Sequence, residues 1–247
     1  MIRRERPAMS AAARPPLPVR RVEEHGLAPM PREAWPATVP AVRQLLDDGL
    51  DLAPLTILVG ENGSGKSTIV EAIAEEFGLN PEGGTRNANH RTQRTESGLA
   101  AHLQLVRGGG ASKRGVFLRA ETMHGHFAYL SETGLPGRLN FQSHGESFIE
   151  FFTERSRIQG LWILDEAESA LSFSGCLALV AHISDILAAG SQVVLSTHSP
   201  ILAAIPGATI YELGEWGMRP ASYDELEMVQ SWRLFLDGPG RFLRHLS

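Results

Sequence analysis

Leu55-Thr-Ile-Leu-Val-Gly60-Glu-Asn-Gly-Ser-Gly65-Lys-Ser-Thr68 is the stretch on which the reading of the whole chain turns. The run ending at Val59 is apolar and β-branched and lies between Pro54 and Gly60, the composition of a buried parallel strand. A glycine-rich turn follows. From Ser67 to Phe77, Ile69, Val70, Ile73, Ala74 and Phe77 then recur at helical spacing, giving a strand, a loop and a helix in succession.

The same alternation continues outward. Leu161–Leu164 reads as a second buried strand and Ser174–Ala189 as a helix with Gly190 just past its end. Gln192–Ser196 is a third strand, and Ala208–Leu213 and Gly217–Arg219 are later ones. Leu17–Glu23 has the character of an edge strand and Ala41–Asp47 that of one or two helical turns. Leu99–Val106 and Gly115–Arg119 read as two strands around the Gly108-Gly-Gly110 turn. Residues 78–97 form a polar loop, and Glu121–Glu132 and Ser147–Glu154 are helical on either side of a loop at 134–145. The tail from Glu225 to Leu246 is helical with a break at Gly238-Pro-Gly240, and its stripe of Trp232, Leu234, Phe235, Phe242 and Leu243 is expected to pack. Strands alternating with helices predict an α/β, three-layer fold with a mainly parallel sheet, plus a small antiparallel β/helical subdomain.

Composition narrows the class. The chain has 247 residues, of which 43% are hydrophobic and 21% charged, enough apolar material for a sizeable core. No run approaches the length of a membrane-spanning helix, and the start lacks the apolar core of a signal peptide. The single cysteine, Cys176, excludes an internal disulfide framework and a multi-cysteine zinc site and fits a reducing cytoplasm. Residues 1–16 read as a flexible, basic tail rich in Pro, Ala and Arg, and residues 17–247 as one domain. An arginine-rich leader of this kind is able to touch nucleic acid by electrostatics, although a solvated tail is the plainer reading. Only two lysines occur, Lys66 and Lys113, which directs attention to Lys66.

Gly60-Glu61-Asn62-Gly63-Ser64-Gly65-Lys66-Ser67 fits G-x-x-x-x-G-K-[ST], between a strand and a helix as that motif requires. Glycines let backbone N–H groups turn inward as an anion nest, and the helix through Thr68 aims its positive end at phosphates. Lys66 reaches the β- and γ-phosphates and the Ser67 hydroxyl ligates Mg²⁺. Asp165 and Glu166 follow the second buried strand, at the carboxyl end where α/β sheets hold their ligands. Asp165 would hold Mg²⁺ through water, and Glu166 would orient or deprotonate an attacking water. Taken alone, such a pair often just serves a helix dipole; beside a P-loop the catalytic reading gains weight.

These motifs resemble those of ABC-type ATPases. Leu164-Asp-Glu-Ala-Glu-Ser-Ala-Leu-Ser172 resembles their Walker B and D-loop, and Val193-Val-Leu-Ser-Thr-His198-Ser-Pro200 their switch-histidine strand. Gln142-Ser-His-Gly-Glu146 resembles the signature loop. The chain is most similar to small stand-alone ABC-like ATPases with a Ser-His-Gly-Glu-Ser loop. The resemblance implies ATP and Mg²⁺ as ligands and an ATP-dependent homodimer in which Ser143 and Gly145 reach the partner's γ-phosphate. It also implies His198 as a γ-phosphate sensor and Glu121, at the position of the usual glutamine, in the metal region. His144, Glu146 and Ser172 depart from the usual Gly, Gln and Asp.

The expected function is ATP hydrolysis. A slow or non-hydrolysing ATP-dependent switch on a protein or DNA partner is the alternative. A small-molecule kinase ranks last, because it has no need of the Ser143 loop or of Asp165-Glu166 followed by His198. A chromosome-type machine needs a long coiled-coil insertion, and the segment between Lys66 and Asp165 has no room for one. His124-Gly-His126 lacks further ligands and reads as surface histidines rather than a metal site. Trp35 is the one aromatic singled out for base stacking.

Overall fold

The computed structural model describes residues 15–79, 97–119 and 158–244. The expected basic tail through residue 14, most of the polar loop after residue 78, and the helices expected at 121–132 and 147–154 lie outside these residues.

The larger sheet has six strands: β3 (Leu55–Gly60), β5 (Gly115–Arg119), β6 (Leu161–Asp165), β7 (Gln192–Thr197), β8 (Thr209–Gly214) and β9 (Gly217–Ala221), in the order β5-β6-β7-β3-β8-β9. The first five are parallel and β9 returns antiparallel to β8. A smaller antiparallel sheet, β2-β1-β4, joins β1 (Arg21–Glu24), β2 (Leu50–Asp51) and β4 (Leu103–Val106). The chain thus has the expected mixed architecture, a mostly parallel sheet with a small antiparallel one.

Strand alternation builds the layers. Phe117, Ile163, Val194 and Leu58 face one core, shared with α1 (Pro40–Asp48), α2 (Lys66–Phe77) and the small sheet. Val116, Leu118, Trp162, Leu164, Leu195, Ile57 and Val59 face the other, filled by Leu179, Ile183 and Ile186 of α3 (Phe173–Ala188) and by Leu202 and Ala203 of α4 (Pro200–Ala203). Helices therefore cover both faces, the arrangement that parallel strands buried on both sides need. The tail forms α5 (Glu227–Asp237) and α6 (Pro239–Leu243).

The strands expected on either side of Gly108-Gly-Gly110 are present and belong to different sheets: β4 joins β1 in the small sheet, and β5 joins β6 at the edge of the large one. The glycine turn is a crossing between sheets. One expectation is corrected: the apolar stripe of the tail does not pack as a whole. Trp232, Leu234, Phe242 and Leu243 are 49%, 56%, 42% and 52% exposed, and Leu226 and Val229, at the start of α5, anchor the segment to the core. Phe235 instead makes edge contacts with both Trp232 and Phe242.

Candidate functional site

The register of the parallel strands brings the candidate residues to one edge of the sheet. Val59 is paired with Thr197, Ser196 with Asp165 and Asp165 with Arg119. At the usual strand spacing, the end of β3 and Asp165 are therefore about 10 Å apart, with β7 between them.

The loop from Gly60 to Gly65 is held by close approach and by handedness. A β-carbon at Gly60 would lie 2.4 Å from the Leu213 carbonyl oxygen, so only glycine lets the end of β3 run this close to β8. Gly65, at the N-cap of α2, is left-handed with φ +99°. No side chain caps α2 and its first turn holds no acid. By contrast Ser172 caps α3 by accepting from the Gly175 N–H at 3.2 Å. The fold closes the N-terminus of α3 internally and leaves the first-turn N–H groups of α2 to an incoming anion. Ser67 and Thr68 lie half-buried in that turn.

Lys66 is 3% exposed. Its ammonium donates to the carbonyl oxygens of Gly60 (2.8 Å) and Glu61 (2.9 Å), across the mouth of the loop. Burial pushes its pKa below the ordinary lysine value, opposed by the carboxylates of Glu166, Asp165, Glu168 and Glu61. The acidic strand end is thus close enough to act on the P-loop lysine.

Asp165 is buried and fully engaged. One oxygen accepts from Ser196 Oγ at 2.5 Å, the other from Arg119 Nε at 3.0 Å. The same guanidinium donates to Glu71 Oε2 on α2 at 2.8 Å. Burial works against the charge of Arg119, but the two carboxylates outweigh it and raise its pKa. Glu166 follows in the left-handed region at φ 49°, ψ 40°, an uncommon conformation for a residue with a side chain. This turn aims its half-exposed carboxylate away from the strand. Glu166 Oε1 lies 3.1 Å from His198 Nε2, and because a carboxylate only accepts, the imidazole supplies the proton at that nitrogen. Glu168 fixes the other side of the turn, its Oε1 accepting from Thr197 Oγ1 (2.5 Å) and from the His198 N–H (2.7 Å).

Sequence reasoning named Lys66, Ser67, Asp165, Glu166 and His198, and the fold gathers their backbones at one sheet edge. It missed Glu168 and Glu71 and gave Arg119 only a place at the end of a strand. Their partners are 29 to 48 positions away, and no local spacing reports such contacts. Glu121, Ser143 and Gly145, with His124 and His126, lie outside the described residues.

A cleft of about 760 Å³ opens beside the P-loop, between the β8–β9 turn and α5. Its lining includes Gly60, Ser64, His198, Trp216 and Trp232. Trp35, the aromatic suggested by the sequence, is exposed and is not among the lining residues. Among the described residues no helix is long and apolar enough to cross a membrane.

Residues 46–102, from the end of α1 through the P-loop and α2, match the family model of the AAA domain. No curated protein matches the chain. Among solved structures, it is similar to the SMC head domain from Thermotoga maritima, at 14% identity over 70% of this chain and 93% of that one, with a TM-score of 0.39. It is also similar to a putative metal-chelate type ABC transporter in an inward-facing conformation, at 15% identity over 72% of this chain and 76% of that one, with a TM-score of 0.37. The matched segment holds the P-loop on its uncapped helix, and the acidic end of β6 lies two strands away in the same mostly parallel sheet.

Proposed function

We propose that the chain binds ATP at the Gly60–Thr68 loop and hydrolyses it, with two copies closing around the nucleotides. The observation that carries this reading is the convergence of Lys66 and the uncapped start of α2 with Asp165 and Glu166 at the carboxyl ends of parallel strands β3 and β6, with β7 between them.

Each residue has a part that follows from its setting. The first-turn N–H groups of α2 and the Lys66 ammonium hold the β- and γ-phosphates, and Lys66 gives up its two carbonyl contacts to do so. Glu166, held by the His198 imidazole at one oxygen, orients the attacking water and takes its proton. His198 keeps that carboxylate pointed at the phosphate side. The Ser67 hydroxyl and the Asp165 carboxylate are hard oxygens and suit magnesium, which keeps several waters; because both Asp165 oxygens already accept from Ser196 and Arg119, Asp165 would hold the ion through water. When bound, magnesium would neutralise charge on the phosphate oxygens. Glu121 is assigned to the same metal region, and Ser143 and Gly145 to the contact with the γ-phosphate of a second copy.

The dimer is tested with Glu166→Gln, which keeps the shape of the site and removes the base. In Mg²⁺–ATP the variant is expected to elute from gel filtration at twice the mass it has without nucleotide, while the wild type passes through that state only transiently. A variant that stays a monomer in saturating ATP would contradict the closure. If the wild type is itself a lasting dimer in ATP, the chain is a slow switch rather than a hydrolase that turns over.

A further inference from the structure

The cleft beside the P-loop shares Gly60–Ser64 and His198 with the site above, and the rest of its lining is used by none of the groups assigned there. Its volume falls within the range of about 300–1,000 Å³ typical of small-molecule sites. The floor is the outer side of the loop, including Ser64, whose buried hydroxyl has no hydrogen-bond partner among the described residues. One wall is Trp216 at the β8–β9 turn. Its indole fills the space a side chain at Gly214 would need, with the Arg219 guanidinium 4.2 Å from the ring centre. The opposite wall is one face of α5, where Met228, Ser231 and Trp232 follow one another at helical spacing.

The charges of the lining select one end of a nucleotide. Glu61, Glu215 and Glu227 are exposed carboxylates, and no Lys or Arg lines the cleft. Glu212 is already used: it accepts from Arg219 (3.0 and 2.6 Å) and from the Glu227 N–H (2.7 Å), which fastens α5 to the hairpin. A polyphosphate would be repelled here, whereas a neutral ring carrying amino groups would find acceptors along the rim and an aromatic face on the wall. The cleft is continuous with the P-loop through Gly60–Ser64, so a molecule whose phosphates sit on α2 can extend into it.

We propose that this cleft receives the base of the bound nucleotide, an amino-bearing purine, with Trp232 as its stacking surface and the rim carboxylates accepting from its amino group. The proposal rests on the nucleotide reading above and adds to it where the base goes.

The test compares ATP with inorganic tripolyphosphate, which has the phosphates and no base. Affinities of both for the full-length wild type, Trp232→Ala and Trp232→Phe are measured by calorimetry in Mg²⁺ buffer. Trp232 is half exposed, so its removal does not empty the core. Trp232→Ala is expected to bind ATP about tenfold more weakly and tripolyphosphate unchanged, with Trp232→Phe recovering most of the loss. Unchanged ATP affinity, or an equal loss for both ligands, would overturn the base site and leave phosphate binding standing. Failure of the wild type to bind either ligand would overturn the nucleotide reading and the base site with it.

Discussion

Lys66 is held as a buried ammonium against two carbonyl oxygens, and its charge has a pH range narrower than that of an exposed lysine. Burial lowers its pKa from 10.5, and the neighbouring carboxylates offset this only in part. A polyphosphate on the loop would favour the charged form and raise the pKa again. Phosphate affinity is therefore full below the free protein's lowered value and decays as pH rises through it. Tripolyphosphate binding followed from neutral pH upward should begin to weaken below pH 10.5; constant affinity up to that value would contradict the role of Lys66. Glu166 is the other residue whose setting is costly. A left-handed conformation costs roughly 1–2 kcal/mol for a residue with a β-carbon, and here it turns a strand-end carboxylate out toward His198. The identities of Lys66, Asp165 and Glu166 were legible because a P-loop and an acidic strand end are local patterns. The Arg119 link between Asp165 and Glu71 was not, because it joins three elements that only the folded sheet brings together.

At the scale of elements, Gln192 shows how the start of β7 is tied to the rest. Its side-chain amide is fully buried, accepting from the Val19 N–H at 2.9 Å and donating to the carbonyls of Val19 (2.6 Å) and Ala53 (3.1 Å). One side chain thus satisfies backbone groups of the segment leading into β1 and of the one leading into β3. Gln192→Ala would strand buried polar groups at Val19, at a cost of about 2–3 kcal/mol. The expected drop in thermal midpoint is roughly 4–10 °C for a chain of this size, read by scanning calorimetry. A drop smaller than about 2 °C would mean that water or a shifted backbone replaces the amide. The sequence revealed most of the elements, since period and punctuation are local. It did not reveal their partners. β4 and β5 are neighbours in sequence around a glycine turn, and nothing local says that they pair with β1 and with β6 instead of with each other. The stripe in α5 and α6 has helical period, which shows that its residues share a side but not what covers that side.

For the molecule as a whole, five parallel strands with helices on both faces create one edge where all strand carboxyl ends point the same way. The nucleotide reading draws its force from this geometry. The glycine-rich loop proposed to hold phosphate sits at the end of β3, Asp165 and Glu166 at the end of β6, and His198, which contacts Glu166, at the end of β7 between them. The central claim is that Glu166 is the base of an ATP hydrolase. Its most direct test is steady-state phosphate release from Mg²⁺–ATP by the wild type and Glu166→Gln, at ATP concentrations that saturate both. The account predicts measurable turnover in the wild type and a loss of at least about a hundredfold in the variant, with ATP binding retained. Equal rates in the two proteins, whether high or negligible, would contradict it.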